Sequence, residues 1–451
     1  MFNNVSQSLI SYSDHLLSNP TISSFVNQKV GEVRTYWDPI VTPVAATLKT
    51  YVQPKNIEIT DEVFDGFTEA PRGFDSTPEI LARLTGKKII IIHFTEIGKP
   101  DIRVQLFYDR SFNADKLNSN INKIVTRIYN LGVLFQNIKT DIWGMFERTI
   151  FEHDYQVYLY SNPRRANPRR QGQEYLQQLN QTMHKCFNTS SGETDGTGFE
   201  GGTFVVTSRL EETLGLLTHE ALHGVFLTAP GVTGSIGRAN SIMGQDNFNI
   251  GEMFVNSIAS IIHAYMISHE LGQELNQCLR YEIIHSFNQA SRLGKISGHS
   301  LQNVLNTGGI NFYQNAYMFE YINGRAVILA NYNYLMLAKP DISAQIHDMA
   351  ARTMDGTAMS NISDLFSKDN SELIAVMNLI DPQLDALIEA SSVAPVDTDD
   401  CGNMIMQYFC LDPMEIDDDK IVTGLYGGSY KQKYLKYKNK YLELKNIMNK
   451  H

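Results

Sequence analysis

The sequence has no apolar run approaching the 18 or so residues that a membrane-spanning helix requires, so no membrane span is expected. Cysteine is scarce: Cys186, Cys278, Cys401 and Cys410 are far apart and form no Cys-x-x-Cys pair. That argues against a disulfide framework and a thiolate zinc site, and it fits a reducing, cytoplasmic compartment. Met1 to Pro20 lacks a basic start followed by an apolar stretch, so no export leader is expected. Positive charge is in the minority, with a net charge of -11 over 451 residues. Seven lysines against one glutamate lie in Tyr430 to His451, which leaves -17 on the rest of the chain. A body so acidic argues against general nucleic-acid binding, while the tail could touch an anionic partner.

The 43% hydrophobic content allows two or three domains of ordinary size. Residues 1–85, punctuated by Pro20, Pro39, Pro43, Pro54, Pro71 and Pro78, read as an appended segment of short helices and loops. Lys88 to Thr95 and Ile102 to Tyr108 are rich in β-branched and aromatic residues and flank Gly98-Lys99-Pro100-Asp101, the pattern of a hairpin. Asp115 to Phe135 reads as a helix, Tyr155 to Tyr160 as a strand and Gln171 to Cys186 as a helix. A tandem pentad, Asn162-Pro163-Arg164-Arg165-Ala166 and Asn167-Pro168-Arg169-Arg170-Gln171, reads as a solvated basic loop, with docking or cleavage as its functional alternative.

Thr203 to Thr207 is a strand candidate leading into a helix, and helices are expected over Ile250 to Leu271, Glu274 to Leu293, Phe312 to Leu337, Asp341 to Met354 and Glu372 to Ala390. The expected fold class is α+β. A mixed sheet over 86–228 is followed by a mostly helical subdomain over 229–390. Residues 391–429 form an acidic linker. The 430–451 tail carries Tyr430, Tyr434, Tyr437, Tyr441, Leu444 and Met448 as a heptad seam, a basic amphipathic helix suited to a helix partner or an anionic surface.

The residues that carry chemistry are His219-Glu220-Ala221-Leu222-His223. Ser208-Arg209-Leu210-Glu211 has the form of a capping box that starts the helix. Leu210, Leu214, Leu217, Ala221 and Val225 make one stripe of it, and His219 and His223 lie a turn apart on roughly the opposite side. Two imidazoles so placed can reach one zinc ion, and Glu220 can address the water on that ion. The alternative is a solvent-facing histidine pair on an ordinary helix. Catalytic zinc needs a third protein ligand and an open position. Glu252 is the candidate, although Asn249-Ile250-Gly251-Glu252 also has the form of a cap; Asp246 and then His263 are the alternatives. Asn256, four residues beyond Glu252, sits on the same face as an acceptor for a ligand imidazole.

The pattern His219-Glu220-x-x-His223 followed by Glu252-x-x-x-Asn256 resembles the gluzincin branch of zinc metallopeptidases, to which thermolysin belongs, over Thr203 to about Leu271. That branch commonly has aspartate where this chain has Asn256. The resemblance implies a zincin-like fold with the motif helix at the junction of sheet and helical subdomains. It also implies one catalytic Zn2+ on His219, His223 and Glu252, Glu220 as general base, and a peptide or protein substrate. The tail from Tyr430 to Lys445 is similar to the Tyr/Lys-rich C-terminal repeat of proteins from mimivirus-like giant DNA viruses, which implies host cytoplasm or virion as the compartment.

As an expectation, zinc-activated water attacks the scissile carbonyl, Glu220 moves the proton, and Tyr313, Tyr317, Tyr321, His285, His299 or Arg325 steadies the oxyanion. Thr203 to Thr207 offers a strand with which an extended substrate can pair. Two alternatives stand beside the enzyme: an inactive zincin-fold virion or scaffold protein attached through its tail, and a zinc-stabilised interaction module with four protein ligands.

Overall fold

A computed structural model describes residues 10, 13–50, 57–65, 84–94, 98–109, 112–136, 154–159, 190–194, 202–207, 213–223, 250–297, 301, 319–334, 365 and 369–380. Six strands, β1 (Ile57–Glu62), β2 (Leu84–Ile92), β3 (Ile102–Asp109), β4 (Asp154–Leu159), β5 (Ser190–Thr194) and β6 (Gly202–Thr207), form one sheet in the order β1-β2-β3-β4-β6-β5. β1, β2 and β3 run antiparallel, β4 and β6 continue parallel to β3, and β5 closes that side antiparallel to β6. The chain is α+β with a mixed sheet.

Side-chain alternation sets the faces. On β3, Ile102, Val104 and Leu106 are fully buried while Arg103 between them is exposed. Each such side chain contributes about 1.5–3 kcal/mol when removed from water. The β2–β3 turn contains Gly98 at φ +66°, a left-handed conformation that glycine adopts without a Cβ clash. The hairpin and its turn are as the sequence pattern predicts. Parallel strands need a crossover, and α2 (Ala114–Gln136) supplies it between β3 and β4. Its Tyr129 ring stacks on Phe94, two residues beyond the end of β2, with centroids 5.0 Å apart.

After β6 the described chain is helical: α3 (Thr213–His223), α4 (Ile250–Leu271), α5 (Leu275–Ser297), a π-helical turn (Phe319–Gly324), α6 (Arg325–Ala330), and a helix over 371–380. α4 is the hub, packed against α2, α3, α5, the π turn and α6. It is buried on all sides from Met253 to Ile267, as a central helix must be, with Asn256, Ser257, Ser260 and His263 among its buried residues. Among the described residues no helix is long and apolar enough to cross a membrane.

Two expectations give way. The described part of residues 1–85 is not a set of short helices, because α1 (Pro20–Val41) is 22 residues long and packs on α5. Asn19 caps it, accepting from the Thr21 and Ile22 amides at 3.0 and 3.3 Å, and Pro20 stands at its first position, where no N–H is missed. β1 likewise belongs to the sheet. The expected helix over Phe312 to Leu337 is broken at Asn331: its described part, 319–334, is the π turn, α6 and, after that turn residue, helix again over 332–334. The expected helices at Gln171 to Cys186 and Asp341 to Met354, the tandem pentad, the Ser208 capping box, the acidic linker and the heptad tail lie outside the described residues.

Candidate metal centre

The motif lies on α3, a formed helix that follows β6 and packs against β5, β6, α2 and α4. Leu214, Leu217 and Ala221 are buried, as the stripe predicts. The other side is buried too. His219 is 2% exposed and Glu220 4%, so His219 is not a solvent-facing histidine. The cover over His219 comes from the π turn: the Tyr321 ring meets the imidazole edge-on, with centroids 5.8 Å apart and planes at 73°.

Tyr321 is tied to α4 at the same place. Asn256 donates from Nδ2 to the Tyr321 carbonyl at 2.7 Å. The turn can approach because Gly324 has no side chain; a Cβ there would lie 2.5 Å from Cγ and Cε of Met253. Met253 is the residue after Glu252. α4 thus carries, within five positions, the candidate third ligand, the methionine under Gly324 and the amide that holds Tyr321.

Behind α3 lies a buried charged cluster that periodicity alone does not reveal. Arg127 of α2 is 0% exposed and donates from Nε and Nη2 to Oε1 and Oε2 of Glu270 at 2.8 and 2.7 Å. Its Nη1 reaches the Leu214 carbonyl at 3.0 Å, the Thr218 Oγ1 at 3.0 Å and Nδ1 of His263 at 2.9 Å. Thr218 itself donates to the Leu214 carbonyl at 2.8 Å. Asn130, a turn after Arg127, donates to Glu270 at 3.2 Å and joins the Lys49 backbone through both sides of its amide. The sequence did carry a signal: Arg127 stands in the apolar run Ile124 to Leu134 of a helix that has no wet side there.

His263, an alternative third ligand, has another role. Burial and then the adjacent Arg127 hold it well below the ordinary imidazole range, so the ring is neutral. Because Nδ1 accepts from Arg127, the ring proton is on Nε2. Neither nitrogen then offers a lone pair to a metal, which corrects that expectation.

Of the six oxyanion candidates, Tyr321 alone among the described ones has a ring against His219. Arg325 is engaged with Ser260 Oγ at 3.3 Å and Glu282 at 3.6 Å, and His285 meets Gln289 at 3.5 Å. Tyr313, Tyr317 and His299 lie outside the described residues, as does Asp246. The strand at Thr203 to Thr207 is not free to receive a peptide, since β4 and β5 occupy both its edges; β5 is the terminal strand.

His219, Glu220 and His223 thus share one helix, and Glu252 and Asn256 share the helix packed on it. The described side chains of this set are those of His219, Glu220 and Asn256, and among the described residues no three metal-ligating side chains converge. The donor types suit zinc: two imidazole positions one turn apart on a formed helix and a carboxylate position on its neighbour. No family model, curated protein or solved structure matches the chain.

Proposed function

We propose that the chain is a zinc-dependent metallopeptidase with a zincin-like fold, hydrolysing peptide bonds at a site built on α3 and α4. The observation that carries this reading is that His219, Glu220 and His223 stand on one helix that follows the sheet's β6 and packs against the helix bearing Glu252. The mixed sheet supports it as well, since its terminal strand β5 runs antiparallel beside β6 and, among the described residues, pairs with no strand on its other edge, where an extended chain could add.

Zinc held by His219, His223 and Glu252 would supply a bound water of lowered pKa and a Lewis-acid contact to the scissile carbonyl. Glu220 takes a proton from the attacking water onto its carboxylate and returns it to the departing amine nitrogen. Its burial keeps competing bulk water away from that proton. Tyr321, beside His219, is the candidate to donate its phenolic O–H to the developing oxyanion. Substrate held along β5 would lie on a strand against which α3 packs.

The test combines metal analysis with a broad peptide-library digest of the full chain. The expected result is one zinc per chain and cleavage by wild type. Glu220→Gln should retain zinc and lose about 10²–10⁴ in rate. A wild-type chain that takes up no zinc after reconstitution, or a fully active Glu220→Gln, would overturn the reading.

A further inference from the structure

Arg127 stands on α2 yet makes its contacts on the two helices that carry the candidate ligands. On α3 it grips Leu214 and Thr218, and Thr218 is the residue immediately before His219. On α4 it grips His263 and Glu270. Positions 252, 263 and 270 are separated by 11 and 7 residues, which at about 100° per residue puts all three within about 20° of one stripe. The stripe of α4 that turns toward Arg127 is therefore the stripe that bears position 252.

A guanidinium is rigid and planar, and five of its hydrogen-bonding contacts here are directional. Sliding or rotating α3 against α4 breaks at least one of them, in a buried place where a lost bond to a charged group is costly. We infer that Arg127 is a positioning residue: it locks α3 to α4 in one register and so sets the span between the histidine positions 219 and 223 and the carboxylate position 252. The last step rests on the zinc reading proposed above. The locking of α3 does not.

Thr218 is the place to test it, because its Oγ1 joins Arg127 to α3 without belonging to the site. Three full-length proteins are compared: wild type, Thr218→Val, which deletes the hydroxyl at nearly constant volume, and Thr218→Ser, which keeps it. Amide hydrogen exchange over residues 213–223 in metal-free protein reads the register directly, with thermal unfolding as the control for global folding. Zinc affinity, by competition with a chromophoric chelator, and the visible spectrum of the Co(II)-substituted protein read the span.

Thr218→Val is expected to exchange about tenfold faster across α3, to bind zinc about 10–100-fold more weakly and to shift the Co(II) bands, with Thr218→Ser restoring wild-type behaviour. Arg127→Lys, which keeps the charge and loses the fork, should move the same readouts further in the same direction. Wild-type exchange, zinc affinity and Co(II) spectrum in a folded Thr218→Val overturn the inference. If wild type binds no zinc, the metallopeptidase reading falls, and the exchange data alone uphold or overturn the locking of α3. If Thr218→Val fails to fold, zinc affinity and spectrum of Arg127→Lys decide.

Discussion

Nη1 of Arg127 lies 2.9 Å from Nδ1 of His263, so a permanent cation is the hydrogen-bond donor to an imidazole sealed from water. Protonating that ring would place two positive charges in contact. The folded protein refuses the proton, whereas the unfolded chain binds it with the ordinary imidazole pKa of about 6.5. The unfolded state therefore holds more protons below that value, and stability falls as pH drops through it, by up to about 1.4 kcal/mol per pH unit. Urea unfolding at about pH 7.5 and 5.5 measures this. His263→Asn keeps an acceptor near Nδ1 and removes the titration, so its pH slope should be smaller; equal slopes would refute the assignment.

The same guanidinium gives a stability prediction. Arg127→Met leaves the Glu270 carboxylate in a fully buried place without its bidentate partner, at a cost of about 3–5 kcal/mol. The double variant Arg127→Met with Glu270→Met removes the stranded charge and should recover much of the loss. Denaturant unfolding of the two single variants and the double variant reads the coupling, and additive losses would contradict it.

Removing residues 1–44 should leave an aggregating or unstable remainder. α1 buries Ile22, Val26, Val33 and Trp37 against the helical half, and the Trp37 Nε1 donates to the Tyr332 hydroxyl at 2.7 Å. Tyr265 adds a bond from its hydroxyl to Asp38 at 2.6 Å. Soluble yield and melting temperature of the truncated chain check this; a remainder as stable as the full chain would show α1 to be dispensable.

Cys278 is buried on α5, and burial first, then Glu274 and Glu282, pushes its thiol up to about 12. Only the thiolate is nucleophilic, so native Cys278 should resist alkylation at neutral pH and react on unfolding. Peptide mapping after iodoacetamide treatment, with and without denaturant, distinguishes the two; rapid native labelling of Cys278 would contradict the packing.

The sequence made the strongly periodic elements legible. β3 alternates apolar and polar residues from Ile102 to Leu106, and the ends of α4 fall where apolar content begins at Ile250 and stops before Gly272. Other parts follow from contacts that periodicity does not encode. Prolines suggested broken structure before residue 85, but Pro20 sits where a helix start tolerates it and Pro39 lies two residues from the end of α1, in its last turn. β1, Ile57–Glu62, is short and mostly exposed, and only its pairing with β2 makes it a strand. For the candidate site, the spacing of His219 and His223 was readable because both lie on one helix. Tyr321 and Arg127 come from helices far away in the chain, and nothing local to His219 announces them.

The bond from Trp37 to Tyr332 spans 295 residues, and this sets an order of events during synthesis. A ribosome adds about 5–20 residues each second, so α1 waits about 15–60 s for its partner to emerge. Until α5 is made, its tryptophan, valines and isoleucine lack the helix on which α1 packs. Expression at low temperature lengthens the wait, during which the apolar side of α1 is open to other contacts.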